Sequence, residues 1–446
     1  MSISPARSAA FDILLRVERE NSYASELLHS SRYSTMSLTD HGLTTELVMG
    51  VLRWRSLLDA RIAEVSSQAL SKLDLEVLTT LRLGAYQLGW LDRIPPHAAI
   101  HESVELVKRA RKRSAVPFAN AMLRNLAGTI VKGLLAEDRI AEAQTVKDLA
   151  ANSAHPTWIV ERWVKQFDLE TGRDVCGYDQ RIPATCIRLR DRAAEGDLRK
   201  EGIEVAPGDF LASARRVVSG DVTRSQAFAA NRVVIQDEAS QLVAALVGRG
   251  TRILDGCAAP GGKTWSIADH NPDATIVALE LHPHRAELLR KRVNAPNVQV
   301  VAGNLLELAE ANPFDRMLLD VPCSGTGTLS RNPEIKWRLS RQDLRDLAAS
   351  QLALLRAATK LVAPHGRLIY STCSLEQEED EVVVGQALAD TSTFRLLDCG
   401  AELERLRAAG DWIAPKIDSF VRGSYLRTIP GLHRCDGFFA AILEKE

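Results

Sequence analysis

After Thr251, short runs rich in β-branched residues alternate with segments of helical periodicity, and this alternation constrains the fold more than any other feature. The runs occupy residues 252–255, 275–280, 298–301, 316–320 and 367–370. Strands that alternate with helices over this length pair in parallel, because each helix carries the chain back to the same end of the sheet. The pattern predicts a doubly wound, Rossmann-like α/β domain with helices on both faces of its sheet.

The chain before this domain is predicted to be mainly helical. Between residues 5 and 128, apolar residues recur at spacings of three and four, which indicates amphipathic helices packed in an all-α bundle. A mixed stretch follows, with short strands predicted at 185–189 and 202–205. We therefore predict three segments, a helical bundle at 1–140, a small mixed α/β connecting segment at 150–235 and the Rossmann-like domain at 236–446.

The overall charge does not suggest a nucleic-acid-binding protein, since the formal net charge is -1 and the pI is near 6.8. Any RNA contact would have to come from a local patch. The densest candidate is a basic cluster made up of Lys108, Arg109, Arg111, Lys112, Arg113 and, further along, Arg124. A solvent-exposed helix face without a partner is the alternative interpretation of this cluster.

Seven cysteines without paired spacing favour a reducing compartment over a disulfide framework or a zinc site. No run approaches the roughly 20 apolar residues that span a bilayer. The first apolar stretch contains Arg7 and Asp12, so it lacks the uninterrupted core of a signal peptide. We expect a cytoplasmic protein without membrane association or a bound metal, and a monomer because no additional interaction segment is apparent.

The turn after the first predicted strand, residues 255–264, is rich in small residues and indicates a cofactor site. In doubly wound sheets, ligands lie beyond the carboxyl ends of the strands, where this turn approaches them. The adjacent Gly261 and Gly262 permit a tight turn and close approach of the backbone. Two phosphate-binding motifs fail. A phosphate loop starting at Gly256 would need lysine in place of Gly262, and a dinucleotide fingerprint would need glycine in place of Ala258.

Two acidic residues end strands at this same edge of the predicted sheet. Glu280 closes the second strand, where a carboxylate can accept hydrogen bonds from both hydroxyls of a ribose. Capping of the following helix is the alternative role for Glu280. Asp320 closes the fourth strand, within reach of a cofactor or of a substrate amine.

Two cysteines follow neighbouring strands, Cys323 after the fourth and Cys373 after the fifth, so we expect both in one cleft. Burial as structural cysteines is the alternative. A pair of thiols suits methylation of a pyrimidine, because thiolate addition at carbon 6 of cytosine turns carbon 5 into an enamine-like nucleophile. Asp320, hydrogen-bonded to the ring nitrogen, would assist this addition. Lys263 would add positive charge to the cleft.

Three motifs together resemble the RNA cytosine-5 methyltransferases of the NOL/NOP/Sun family, namely Cys-Ala-Ala-Pro-Gly-Gly-Lys-Thr at 257–264, Asp-Val-Pro-Cys-Ser-Gly at 320–325 and Thr-Cys-Ser at 372–374. The resemblance implies that Cys373 attacks the base, that Cys323 helps to release the product, and that S-adenosylmethionine is the cofactor. The helical start is similar to NusB, an RNA-binding bundle. The order of bundle, connecting segment and catalytic domain implies a cytosine in small-subunit (16S) ribosomal RNA as the target.

The same resemblance implies a set of cofactor contacts, which are Cys257, Ala258, Ala259, Pro260, Gly261, Gly262, Lys263, Glu280, Asn304 and Asp320. Two of them depart from the family pattern. Glu280 stands where aspartate is frequent, and Asn304 stands after Gly303 where aspartate is usual. The amide oxygen of Asn304 can still accept a hydrogen bond from an adenine amino group.

Two alternatives stay open at this point. The first is a related RNA or DNA cytosine methyltransferase in which Cys323 is the attacking thiol. The second is a non-catalytic NusB-like RNA-binding protein with a degenerate catalytic half. The intact glycine loop, the acid at Glu280 and the presence of both cysteines favour an enzyme over the second alternative.

Overall fold

A computed structural model describes residues 3–129, 136–309 and 312–446. Residue contacts group the chain into two units, Met1–Ile182 with Leu329–Arg338, and Pro183–Thr328 with Leu339–Glu446. The three-segment division at 140, 150 and 235 stays a prediction, and residues 130–135 of its helical bundle lie outside the described residues.

The first unit consists of helices, as predicted. Its core is built from fully buried apolar side chains on several helices, including Ile13, Leu47, Leu81 and Leu123. The helices in chain order are α1 (Pro5–Glu20), α2 (Ala24–Leu28), α3 (Leu38–Val65), α4 (Leu75–Trp90), α5 (Pro96–Arg109), α6 (Val116–Thr129), α7 (Ala136–Ala141), α8 (Val146–Asn152), α9 (Thr157–Gln166) and α10 (Leu169–Asp179). None of the described helices combines the length and apolarity that crossing a bilayer requires.

The second unit begins with a small antiparallel sheet in the order β2-β3-β1-β4. The elements are β1 (Cys186–Leu189), α11 (Ala194–Lys200), β2 (Glu204–Pro207), β3 (Ala214–Ser219), α12 (Gln226–Ala229) and β4 (Val233–Ile235). The strands predicted at 185–189 and 202–205 correspond to β1 and β2, whereas β3 and β4 were not predicted.

Within the described residues, the second unit also contains a nine-stranded sheet in the order β11-β12-β13-β9-β8-β5-β6-β7, with β10 paired to β13. Its elements are α13 (Glu238–Ala245), β5 (Arg252–Asp255), α14 (Gly262–His270), β6 (Thr275–Glu280), α15 (Pro283–Arg292), β7 (Val298–Ala302), β8 (Phe314–Asp320), α16 (Ile335–Arg338), α17 (Arg341–Thr359), β9 (Val362–Thr372), α18 (Glu381–Ala389), β10 (Phe394–Leu397), α19 (Cys399–Ala408), β11 (Val421–Arg422), β12 (Tyr425–Thr428) and β13 (Phe438–Lys445). Of these, α16 belongs to the first unit.

Strands β5 to β9 pair in parallel, which confirms the predicted Rossmann-like sheet. Strands β10 to β13 add an unpredicted antiparallel part beyond β9. The strand order reverses at β5, which has β6 on one side and β8 on the other. Such a reversal opens a crevice at the carboxyl ends of the strands, where ligands bind in this class of fold.

Residues 329–338 leave the sheet domain and complete the core of the helical unit. Lys336, on α16, is only 1% exposed, and its Nζ donates hydrogen bonds to the carbonyl oxygens of Arg53, at 2.9 Å, and Ala154, at 3.1 Å. The neighbouring Trp337 donates from its indole N–H to the carbonyl oxygen of Leu52 at 2.6 Å. These bonds tie the segment to two separate points of the helical unit, one on α3 and one at Ala154.

Burial lowers the pKa of Lys336 to about 7, although the nearby Asp179 carboxylate acts in the opposite direction. The guanidinium of Arg53 lowers this pKa further, and Cys176 acts with Asp179 to raise it. Between pH 7 and the ordinary lysine value of 10.5, the unfolded chain therefore binds more protons than the folded one. The folded state gains stability as the pH rises through this window.

We expect this gain to disappear in Lys336→Met, because methionine fills the same space without a titrating group. The free energy of unfolding of the wild-type protein, minus that of the variant, should rise from pH 7 towards pH 10 by up to about 1.4 kcal/mol per pH unit. Chemical denaturation at several pH values measures this difference. Lys165→Met, at an exposed lysine of the same unit, is the control. Parallel pH curves for wild type and Lys336→Met would contradict the assignment.

Candidate active site

The loop between β5 and α14 is anchored at both ends by hydrogen bonds. Asp255 ends β5 and is 1% exposed, and its Oδ2 accepts a hydrogen bond from Thr264 Oγ1 at 2.7 Å. Burial raises the pKa of Asp255 to about 6, and the bond from Thr264 opposes this rise. Further along the loop, the N–H of Ala258 donates to the carbonyl oxygen of Leu279 on β6 at 2.9 Å. The loop is therefore held at the carboxyl edge of the sheet, as the sequence predicts.

Gly261 is required by the shape of this loop. Its φ of 104° lies in the left-handed region, and a Cβ there would lie 2.6 Å from Leu289 and 2.7 Å from Val293. Cys257, in contrast, is an unreactive member of the loop, because burial, together with the charge of Asp255, raises the pKa of its thiol well above the usual range.

Glu280 lies at the end of β6 and is almost fully buried. Its Oε1 accepts a hydrogen bond from the N–H of His282 at 3.0 Å and lies 3.6 Å from Nη1 of Arg285. Both contacts use one carboxylate oxygen, so the capping role and a ribose-binding role can coexist on this residue.

Asn304 lies just beyond β7 and caps the short 3-10 helix Leu305–Glu307. Its Oδ1 accepts a hydrogen bond from the N–H of Leu306 at 3.1 Å, and its Nδ2 donates to Glu307 Oε1 at 2.9 Å. A contact from Oδ1 to a cofactor would have to share this oxygen with the backbone N–H.

Asp320 and Lys263 form an ion pair in the middle of the crevice, with 2.7 Å between Lys263 Nζ and Asp320 Oδ2. The second oxygen of Asp320 accepts a hydrogen bond from Ser371 Oγ at 2.7 Å. Burial alone lowers the pKa of Lys263, but the charge and hydrogen bond of Asp320, together with the charge of Cys373, outweigh burial and raise it. Lys263 therefore carries a fixed positive charge beside Cys373.

The two predicted cysteines lie in contact, with 3.3 Å between Cys323 Sγ and Cys373 Sγ. Strands β8 and β9 pair in parallel with Asp320 opposite Ser371, and each strand leads directly into its cysteine loop. Both cysteines are partly exposed. The structure thus brings together Cys323, Cys373, Asp320 and Lys263, as the sequence predicts.

A hydrogen-bonded network behind the cysteines was not predicted. It consists of Ser324, Thr326, Ser374 and Glu379, all buried. The available signal was a serine directly after each cysteine, followed by the acidic run at 376–381. Such a run ordinarily indicates a solvated surface, which explains why its buried members, Glu379 among them, were missed.

Within the described ranges, three of the six residues of the basic cluster on the helical unit form ion pairs. Arg109 contacts Asp12 at 2.7 Å, Lys112 contacts Asp74 at 3.1 Å and Lys108 contacts Glu105 at 2.6 Å. Arg111, Arg113 and Arg124 are exposed, and in the described part of the chain no ion pair involves them. These three arginines are the members of the cluster best placed to meet a phosphate.

Comparison with known proteins agrees with this geometry. The family model of the 16S rRNA methyltransferase RsmB/F matches residues 245–444, and that of the NusB family matches residues 4–128. The crystal structure of PH0851 covers all of this chain with a TM-score of 0.77 at 23% identity. That of NSun6 from Pyrococcus horikoshii covers 66% of this chain and 99% of its own, with a TM-score of 0.55 at 19% identity. Both likenesses show the fold.

Curated relatives match over most or all of the length. The ribosomal RNA small subunit methyltransferase B of Pseudomonas syringae pv. tomato is 33% identical over 82% of this chain and 83% of its own. The probable ribosomal RNA small subunit methyltransferase B of Bacillus subtilis is 30% identical, and the match covers 100% of both chains. The motifs, the sheet with its paired cysteines and these matches together place the chain in the ribosomal RNA small subunit methyltransferase B family.

Proposed function

We propose that the chain transfers a methyl group from S-adenosylmethionine to carbon 5 of a cytosine in 16S ribosomal RNA, through a covalent adduct between Cys373 and carbon 6. The observation that supports this reaction best is the contact of two thiols beside a partly buried lysine–aspartate pair. A methyltransferase that attacks with an oxygen or nitrogen of its substrate needs no thiol, whereas methylation at a pyrimidine carbon needs a nucleophile to activate the ring.

The crevice fits the methyl donor. A buried carboxylate at Glu280 can accept hydrogen bonds from ribose hydroxyls, and the loop of small residues from Cys257 to Gly262 lies at the same sheet edge. Asn304 and Asp320 complete the proposed donor site on β7 and β8. When bound, S-adenosylmethionine supplies an electrophilic methyl group on a sulfonium.

In the proposed reaction, the thiolate of Cys373 adds to carbon 6 of the cytosine and forms the sulfur–carbon bond. Lys263 supplies a positive charge close to this sulfur. The ring nitrogen takes up a proton and donates it as a hydrogen bond to the carboxylate of Asp320, which favours the addition. Electron density then moves to carbon 5, which takes the methyl group as the bond between that group and the sulfonium sulfur breaks. Removal of the carbon-5 proton then restores the double bond and expels Cys373.

Cys323 is suited to accept that proton. Its hydrogen bond to Cys373, burial, and the charges of Cys373 and Glu379 all raise the pKa of the Cys323 thiol, so Cys323 keeps its proton before the attack. Once Cys373 is bonded to carbon, its charge is gone and Cys323 can ionise more easily. The contact between the two sulfurs supports this order of events.

We expect Cys323→Ala to accumulate a covalent protein–RNA adduct, because attack proceeds while release is blocked. Cys373→Ala should keep its affinity for S-adenosylmethionine but form no adduct and lose methylation. Denaturing gels with labelled 16S RNA detect the adduct, and calorimetry measures the cofactor affinity. The double variant Cys323→Ala/Cys373→Ala is the control for non-covalent retention. An adduct in Cys373→Ala, or methylation by it, would assign the attack to another residue.

We also propose that the free arginines of the basic cluster contact the RNA backbone. In Arg111→Gln/Arg113→Gln, the slope of log Kd against log salt concentration should fall by about 0.7 for each lost phosphate contact to single-stranded RNA. Arg109→Gln serves as the matched control, because Asp12 already pairs with Arg109. Filter binding at several salt concentrations measures the slopes. An unchanged slope in the double variant would favour the alternative interpretation, in which the cluster is a solvated helix face without a partner.

A further inference from the structure

The residue directly after each cysteine is a buried serine, and one carboxylate joins the two serines. The hydroxyls of Ser324 and Ser374 both donate to Oε2 of Glu379, and the two Oγ atoms lie 3.1 Å apart. Because Ser324 follows Cys323 and Ser374 follows Cys373, this carboxylate connects the two loops at the position next to their sulfurs.

The other carboxylate oxygen of Glu379 holds the backbone of the first loop. Oε1 accepts hydrogen bonds from the N–H of Ser324 at 2.8 Å and from Gln351 Nε2 at 2.9 Å. Gln351 Nε2 also donates to the carbonyl oxygen of Pro322, the residue before Cys323, at 2.9 Å. Glu379 is 0% exposed, and within the described residues no ion pair involves it.

A buried carboxylate without a cation is costly unless hydrogen bonds satisfy its charge. Here four donors form hydrogen bonds to the carboxylate of Glu379, and they come from both cysteine loops and from α17. Removing Glu379 would therefore leave the backbone N–H of Ser324 without its acceptor and would take from the hydroxyls of both loops the carboxylate that they share. Its role is tied to the two loops rather than to the general packing of the sheet.

Two direct links show that the loops are docked on each other. The N–H of Gly327 donates to the carbonyl oxygen of Cys373 at 2.9 Å, and the N–H of Leu375 donates to Thr326 Oγ1 at 2.9 Å. These bonds fix the loops beyond the cysteines, whereas Glu379 fixes them through the serines next to the sulfurs. Two sets of hydrogen bonds, the direct ones and those to Glu379, therefore hold together the loops that carry the two sulfurs.

We propose that Glu379 is a positioning residue that holds the sulfurs of Cys323 and Cys373 in contact by bridging Ser324 and Ser374. For its effect on methylation the inference rests on the proposed function, but the bridging itself does not. The negative charge of Glu379 also acts on Cys323. After the hydrogen bond to Cys373, burial and the charge of Cys373, it is a further cause of the raised pKa of that thiol.

Two conservative variants separate distance from charge. Glu379→Asp keeps the charge but is one methylene shorter, so it cannot reach both serines in the same geometry. Glu379→Gln keeps the length and removes the charge. The amide NH2 group is a donor, so the serine hydroxyls that face it would have to rotate and accept a hydrogen bond instead of donating one. Glu238→Gln is the matched control, since Glu238 is a buried glutamate of the same unit that accepts from the N–H groups of Asp209, Phe210 and Leu211.

The first readout needs no RNA. Diamide oxidises the two thiols to a disulfide by taking two electrons and two protons, and is itself reduced to the hydrazine. The rate of Cys323–Cys373 disulfide formation in the full-length protein, followed by mass spectrometry, therefore reports how often the sulfurs meet. We expect Glu379→Asp to slow this reaction about tenfold, the ratio that corresponds to about 1.4 kcal/mol, and Glu238→Gln to leave it unchanged.

The second readout is the pH dependence of Cys323 alkylation by iodoacetamide, measured in a Cys373→Ser background. We expect Glu379→Gln to move the midpoint to lower pH by about half a unit to one unit, because a nearby negative charge disfavours the thiolate. Glu238→Gln should not move it. The inference would be overturned if both Glu379 variants had the disulfide rate of wild type and, in the Cys373→Ser background, the same alkylation midpoint as their parent. If neither variant folds, a disulfide rate in Ser374→Ala equal to that of wild type would also overturn the inference.

Methylation assays then separate this inference from the proposed function. With 16S RNA, Glu379→Gln should lower kcat about tenfold while KM for RNA and for S-adenosylmethionine stays constant, as expected for a residue that touches neither. Altered thiol readouts together with a Cys323→Ala protein that never forms an RNA adduct would overturn the proposed function alone. Adducts in Cys323→Ala with unaltered thiol readouts in the Glu379 variants would overturn the role of Glu379 alone.

Discussion

The parallel pairing of β8 with β9 is the constraint on which the site depends. Because parallel strands end at the same sheet edge, Asp320 and Ser371 lie opposite each other, and the chain can place one cysteine after each strand end. The hydrogen bond from Ser371 to Asp320 and the ion pair with Lys263 then fix the carboxylate between the cofactor loop and the cysteines. A shift in the register of these strands would separate the charges from the thiols as well as the thiols from each other.

The two cysteines have the same side chain but different environments. Cys373 lies within the field of Lys263, whereas Cys323 is close to Glu379 and to the sulfur of Cys373. Charges of opposite sign thus act on two thiols that are in contact. The chemistry proposed for this chain requires that asymmetry.

The sequence predicted the parallel strands well, because β-branched runs bounded by turns have few other interpretations. It did not predict β13, whose run Phe438–Lys445 is buried over most of its length and so shows no alternation to separate a strand from a buried helix. The placement of Cys323 and Cys373 in one cleft followed from topology alone. The role of Glu379 could not be predicted, since it depends on hydroxyl geometry in loops 50 residues apart. The burial of Lys336 was not predicted because lysine is ordinarily exposed.

The short segment at 329–338 has a consequence for how the protein is made. During synthesis, the first 182 residues of the helical unit leave the ribosome long before Lys336 and Trp337 do. Until then, the carbonyl groups of Leu52, Arg53 and Ala154 lack the donors that they have in the folded protein. The amino-terminal unit therefore cannot finish folding by itself as it emerges. A gene fragment that ends at the apparent domain boundary would encode an incomplete core, and a fragment of the sheet domain alone would carry a segment that belongs elsewhere.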